Sequence, residues 1–312
     1  MDRLPTIDYS RHPAYQREPD LERGRQAADQ LALLVEHVTE IEAQRVATFG
    51  YRYGAQTEDG RMLLRDGVLQ FQLSAPVVED LSTHAAPAVA AVKARMEALE
   101  GRGKAPKFAD RMERASREVH APLHATVERA MREIGAFELT TAFFGARYAK
   151  LQNMAVMVST PRDKESLLLA ESPAAGLHVD SSGKCILKAV LYISDVSPDQ
   201  GPFGMVPGSH MWDPGGVERI HRRAFDQSPF KSRSPNSLST FIALPKHLQV
   251  KAEFGGDLLP EWEETRVLLG SERVALGQRG LVSLFDPEAV HRGGLVTTGE
   301  RLAILVTMSA VY

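Results

Sequence analysis

Residues 176–210 read GLHVDSSGKCILKAVLYISDVSPDQGPFGMVPGSH. His178 and Asp180 stand two positions apart just ahead of an apolar, β-branched run, so in extended chain both side chains leave the same face. This predicts a strand beginning at the histidine, with an imidazole and a carboxylate projecting together. The run CILKAVLYISDV then continues as a strand, and the segment SPDQGPFGMVPGSH has the Gly, Pro and Ser content of tight turns. In the turn PGSH, Pro207 and Gly208 are expected to shape the backbone and Ser209 to hydrogen-bond locally.

Strand-like runs dominate the chain from about residue 141 onward: RYAKLQNMAVMVS, CILKAVLYISDV, GLVSLFD and RLAILVTMSAVY, separated by Gly, Pro, Ser and Asp. The part from about 20 to 140 is helical in pattern. LERGRQAADQLALLVEHVTEIEAQRV, from Leu21, places Leu31, Leu34, Val35, Val38 and Ile41 at helical spacing. Further helices are expected over about 87–99 and 108–134, divided by the breaker-rich GRGKAP. Between the first helix and these, Leu69, Phe71 and Leu73 alternate with Val68, Gln70 and Gln72, the period of a strand. With no clean linker between the halves, the expected organisation is one domain over 1–312, of α+β class, with an insertion at about 212–275.

The composition excludes several classes. Hydrophobic residues at 43% and charged residues at 25% are globular values, and 37 basic against 40 acidic residues give a net charge of −3. No field of either sign attracts nucleic acid or an anionic membrane, and no window resembles a signal or a membrane span. Cys185 is the only cysteine, so neither an intrachain disulfide nor a thiolate zinc cluster can form. A cytoplasmic protein is the expectation. Cys185 itself is expected in the core.

The chemistry lies in a constellation. GLVSLFDPEAVHRGG, at 280–294, supplies His291, and Arg301 follows ten residues later on what is expected to be the continuation of the same strand. His178, Asp180 and His291 together are two imidazoles and one carboxylate, the donor set of a non-haem Fe(II) centre that leaves coordination positions open for dioxygen and a co-substrate. A guanidinium at Arg301 can take the far carboxylate of a dicarboxylic acid through a charge-assisted pair, so 2-oxoglutarate fits between iron and arginine. A second pair, His120 and His124, shares the i, i+4 spacing of zinc ligands, but Pro122 interrupts it and no Glu follows His120, so surface histidines are expected there.

On these motifs the chain resembles the Fe(II)/2-oxoglutarate-dependent oxygenases, and within them the phytanoyl-CoA dioxygenase-like branch. The resemblance rests on HVD at 178–180, VLYISDVSPDQGPFGMVPGSH at 190–210, GLVSLFDPEAVHRGG at 280–294, and Arg301, with a fainter match in LRDGVLQFQLSAPVVEDL. It implies a double-stranded β-helix, a jelly-roll of about eight strands backed by helices. It also implies oxidative decarboxylation of 2-oxoglutarate to succinate and CO2, coupled to hydroxylation of a small-molecule C–H bond by O2. The ligands implied are His178, Asp180 and His291, with Arg301 holding the co-substrate and Gln152 or Asn153, on the preceding strand, hydrogen-bonding it. An intact Asp180 argues against a halogenase. Gly293 stands where relatives often carry Ser, and Val190 where they often carry an aromatic.

Other readings attach to the same residues. A metal-binding β-barrel sensor or binding protein without turnover would use the triad without oxidising anything. Lys184 and Lys188 share a strand face, which is expected on the barrel exterior, the alternative being the substrate channel. Arg219, His221, Arg222 and Arg223 form a basic run, either a solvated loop or a lid that recruits an anionic substrate. Trp212 and Trp262 flank that region, to close over a substrate or to anchor the loop.

Overall fold

The computed structural model describes residues 18–49, 57–161, 176–178, 180, 185–211, 235–245 and 262–312, together with residues 11, 16, 224 and 248. The helical part comprises α1 (Leu21–Phe49), α2 (Glu58–Asp66), α3 (Ala75–Glu100), α4 (Ala121–Glu133) and α5 (Ala136–Phe144), with α6 (Pro235–Ala243) and α7 (Glu263–Gly270) later. The strands are β1 (Val68–Gln72), β2 (Met112–Arg114), β3 (Tyr148–Ser159), β4 (Ile186–Tyr192), β5 (Gly204–Met205), β6 (Arg273–Val274), β7 (Leu281–Phe285), β8 (His291–Arg292) and β9 (Arg301–Val311).

Six strands form one antiparallel sheet in the order β1-β7-β4-β9-β3-β2, and three short ones form a second in the order β6-β5-β8. Side-chain alternation gives the larger sheet two different faces. Leu187, Ala189 and Leu191 of β4, with Val282 and Leu284 of β7 and Ile304 and Val306 of β9, pack outward against α3, α4 and α5 through Leu81, Leu123, Val127, Met131 and Phe143. Val190, Tyr192, Leu281, Phe285, Ala303 and Met157 face inward, where they meet Phe203 and Met205 of the smaller sheet region. Two antiparallel sheets closed face to face over this inner core make the fold a double-stranded β-helix, of jelly-roll type, with helices covering one outer side.

Antiparallel register sets out the inner face in rows. Val68, Phe285, Lys188, Thr307 and Asn153 are consecutive partners across β1, β7, β4, β9 and β3, and Arg301 lies opposite Ser159 at the other end of β9. These rows decide which residues can reach the site.

Several sequence expectations are corrected. His178 does not begin a strand: it makes an isolated bridge, and β4 starts at Ile186. Arg301 is not on the continuation of the His291 strand, since β8 belongs to the smaller sheet and β9 to the larger. The expected helix over 108–134 is a 3-10 turn at Phe108–Arg111, the short β2, and α4 starting only at Ala121, with Pro122 in its first turn, where a missing N–H costs nothing. Conversely α3 starts at Ala75 and carries Pro87 in its interior. Within the region 212–275, the described residues include α6, α7 and β6, the last paired to β5. α6 packs on α1 through Phe241 against Leu31 and Ala27. Trp262 is buried at the start of α7, with the Arg11 guanidinium 4.7 Å over its ring, so it anchors that segment. Trp212, Lys184 and the basic run at Arg219, His221, Arg222 and Arg223 lie outside the described residues.

The Asp66-Gly67 pair ties the helical part to the barrel. Asp66 is buried and accepts hydrogen bonds from Arg65 at 2.8 and 2.9 Å and from Arg273 at 2.8 Å. Its backbone oxygen takes the Gly208 N–H, and the Gly67 oxygen takes that of Asp286. Gly67 has φ +76°, and a Cβ there would meet His210 Nδ1 at 2.6 Å and Met205 Cε at 2.9 Å. Left-handed backbone and overpacking penalties add, so Gly67→Ala should cost about 2–4 kcal/mol in a urea unfolding measurement. A loss below about 0.5 kcal/mol would show that the junction yields freely.

Candidate metal and co-substrate site

The two histidines meet through the backbone. His178 and His291 exchange both N–H···O bonds, at 2.8 and 2.9 Å, as a hydrogen-bonded antiparallel pair, which puts their side chains on one side. Their ring centroids are 4.4 Å apart. Asp180 is held by its own N–H on Pro287 O at 3.0 Å, and its carboxylate reaches His291 Nε2 at 3.2 Å and His178 Nε2 at 3.7 Å. The three candidate ligand atoms all lie within 4.8 Å of one another, and this is the one such group of His, Cys, Asp and Glu among the described residues.

The tautomers suit a metal. His178 Nδ1 is 2.8 Å from Gly176 O, and His291 Nδ1 is 2.8 Å from Ala289 O. A carbonyl only accepts, so each Nδ1 carries the hydrogen and each Nε2 presents a lone pair toward Asp180. Burial, aided by the neighbouring His291, lowers the pKa of His178 to about 4, against the pull of Asp180, so its ring is neutral at pH 7. Burial by itself raises the pKa of Asp180, but Lys188 foremost, then His291 and His178, outweigh it and hold the carboxyl well below its usual range. Two imidazoles with their Nε2 atoms turned to one ionised carboxylate fit a divalent metal. Phe285 and Phe203 wall the site, their ring centroids 4.9 and 6.0 Å from that of His291.

Arg301 is 4% exposed. Its guanidinium donates to Gly293 O and, at 3.2 Å, to Ser159 Oγ, while Nε has no partner among the described residues. The adjacent Glu300 turns away to Lys93 at 2.8 Å. Burial pushes the pKa of Arg301 down and Tyr192 pushes it back up, yet no carboxylate of the described residues neutralises it. A buried guanidinium without a counter-ion is costly, and an anionic ligand is the chemistry that compensates it. Tyr192, also buried, accepts the Phe203 N–H on its hydroxyl oxygen at 2.7 Å.

The structure brings His178, Asp180 and His291 together, and Arg301 donates to Gly293 O, two residues beyond His291. It does not bring Gln152 or Asn153 to Arg301. Both are exposed, beside the register shift between Leu151 and Asn153, roughly 20 Å along β3 from Ser159 at the strand's rise per residue. Ser159 is the residue of β3 that reaches the guanidinium. Lys188, expected outside, is on the inner face, with Nζ 2.6 Å from Asp180 Oδ2. His124 is not a surface residue: it is buried with Nε2 2.9 Å from Ala115 O. His210 is buried against Leu64, and Ser209 closes the turn as expected, donating to Val206 O at 2.7 Å. Cys185 is half-buried against the sheet-helix core.

No helix among the described residues is long and apolar enough to cross a membrane. Comparison with curated protein sequences finds no match. Among solved structures the chain is similar to EctD from S. alaskensis with bound Fe, at 14% identity and a TM-score of 0.47, over 82% of this chain and 77% of that one. It is similar to SnoK, a non-heme alpha ketoglutarate dependent carbocyclase from nogalamycin biosynthesis, at 16% identity and 0.44, over 83% and 86%. AviO1 from Streptomyces viridochromogenes Tue57 shares 15% identity at 0.42, over 80% and 92%. The sequence profile of phytanoyl-CoA dioxygenase (PhyH) matches residues 77–303, which run from α3 to the first residues of β9 and include His178, Asp180, His291 and Arg301, and the chain therefore belongs to the phytanoyl-CoA dioxygenase family.

Proposed function

We propose that this protein is a non-haem Fe(II)- and 2-oxoglutarate-dependent dioxygenase that hydroxylates a small molecule in the cytoplasm, releasing succinate and CO2. His178, Asp180 and His291 hold the metal in this reading, and Arg301 with Ser159 holds the distal carboxylate of 2-oxoglutarate. Bound iron supplies the activation of O2 by two-electron oxidation of the co-substrate. The observation that carries the reading is the convergence of His178, Asp180 and His291, together with a buried arginine, Arg301, that has no carboxylate partner among the described residues.

The chain's own groups divide the work. Nδ1–H bonds to Gly176 and Ala289 orient both rings, and burial keeps His178 neutral, so metal entry requires no proton release from His178 near pH 7. Arg301 and Ser159 offer N–H and O–H donors to an anion, while Phe203 and Phe285 exclude water from one side of the ligand cluster. Asp180 is negative and Lys188 and Arg301 are positive, and this balance favours a primary substrate that itself carries an acidic group.

The test is anaerobic addition of Fe(II) and 2-oxoglutarate to the purified protein, with the visible charge-transfer band of the chelate as readout. The band should appear with both ligands and vanish in His178→Ala. Absence of the band, with neither metal nor 2-oxoglutarate bound, would overturn the enzyme assignment and favour a binding protein.

A further inference from the structure

Lys188 lies on β4 between Phe285 of β7 and Thr307 of β9, on the same face as Val190 and Tyr192. Its ammonium sits 2.6 Å from Asp180 Oδ2, the same oxygen that lies 3.2 Å from His291 Nε2. That His291–Asp180 separation is the edge two adjacent ligands span around one ion with bonds of about 2.1 Å. A metal held by His291 and that oxygen would share it with the ammonium. An ammonium has three N–H donors, and Asp180 accounts for one of them among the described residues.

We propose that Lys188 is a positioning residue that couples metal binding to anion binding, with its ammonium paired to Asp180 in the metal-free protein and turned to an anionic ligand group once metal is bound. This rests on the metal assignment above. Two like charges on one carboxylate oxygen repel strongly at a few ångströms in a walled cavity, so Lys188 weakens metal binding until an anion arrives beside it. By linkage, metal in turn favours that anion by the same factor. The group it takes is a carboxylate or a similarly acidic oxyanion. It comes either from the metal-side carboxylate of 2-oxoglutarate or from an acidic group of the primary substrate, the chemistry an ammonium on a flexible four-carbon stem recognises.

Lys188 accordingly sets which molecules the site accepts. A neutral side chain of the same length should relieve the competition for Asp180 and lose the anion contact. Lys188→Arg keeps the charge and should leave metal affinity near the wild-type value. The side chain is 31% exposed, so Lys188→Met leaves no large cavity, and Lys188→Gln serves as a second neutral variant.

The experiment is anaerobic calorimetric titration of Fe(II), and of Co(II) as a redox-inert probe, into wild type, K188M, K188Q and K188R, with and without 2-oxoglutarate. The neutral variants should bind metal on the order of tenfold tighter than wild type without 2-oxoglutarate. If 2-oxoglutarate then strengthens metal binding less in K188M than in wild type, its carboxylate is the partner of Lys188. If it strengthens both equally, 2-oxoglutarate is not the partner of Lys188; acetate in its place should then strengthen metal binding more in wild type than in K188M, and no difference there overturns the coupling. Equal or weaker metal binding in both neutral variants overturns the coupling. Failure of the metal assignment reads differently: wild type and His178→Ala would then give the same metal isotherm.

Discussion

Asp180→Ala is expected to remove succinate formation to background while leaving the fold in place. The carboxylate is the single anionic donor of the ligand group and lies 3.2 Å from His291 Nε2 and 3.7 Å from His178 Nε2. Changes to groups that merely orient a ligand commonly weaken a metal site by about 10–100-fold, so loss of a ligand itself should exceed about a hundredfold in Fe(II) affinity. The structural cost is small by comparison. Lys188 and Asp180 are 31% and 26% exposed, so water reaches the orphaned ammonium and the lost pair should cost about 1 kcal/mol in urea unfolding of the metal-free protein. Calorimetry with Fe(II) and a 2-oxoglutarate consumption assay measure the two effects separately. Wild-type turnover by this variant would remove Asp180 from the ligand set and leave the two histidines without an acidic partner.

The triad was legible because its signals are local. HVD is a two-residue spacing, and the distal histidine sits in a short run, SLFDPEAVHRGG, whose turn residues mark it off. What the spacing cannot convey is how residues 178 and 291 meet, since an isolated bridge leaves no periodic trace. Which of the two expected faces Lys188 takes was hidden for a related reason. β4 is buried on both faces, so its apolar residues run almost continuously and the alternation that separates inside from outside is erased. Only the register with β7 and β9, which places Lys188 level with Phe285 and Thr307, assigns its face. Ser159 escaped notice because its role exists through Arg301, 142 positions away, and the antiparallel pairing that joins them depends on the whole length of β3 and β9. Gln152 and Asn153 looked suitable as polar residues on that strand; both are exposed, beside a bulge in β3 and six or seven residues from Ser159. A paired Ser-Arg at opposite ends of two long apolar strands is the signal that could have been followed.

Arg301→Met should weaken 2-oxoglutarate binding by about 10²–10³-fold, with Fe(II) affinity in the absence of co-substrate unchanged. Two hydrogen bonds from a guanidinium to a carboxylate contribute about 1.5–3 kcal/mol each, which corresponds to that range after the cost of ordering the ligand. The same argument gives an unusual sign for stability. Arg301 is 4% exposed, with Gly293 O and Ser159 Oγ as its described acceptors and no described carboxylate beside it, so the free protein bears an uncompensated desolvation cost. Replacing the guanidinium by a thioether of similar length removes that cost, and the variant should melt at the wild-type temperature or above it when 2-oxoglutarate is absent. Adding the co-substrate at about 100 times its dissociation constant to metal-loaded wild type should add about 2.7 kcal/mol of stability, and the variant at the same concentration should gain almost none. The curves therefore cross, with the variant the more stable protein without 2-oxoglutarate and the less stable one with it. Lys in place of Arg retains the charge as a single point and should fall between the two. A variant that keeps wild-type 2-oxoglutarate affinity and also loses stability would mean that Arg301 serves the packing of β9 against β3 and that the co-substrate's far carboxylate is held elsewhere.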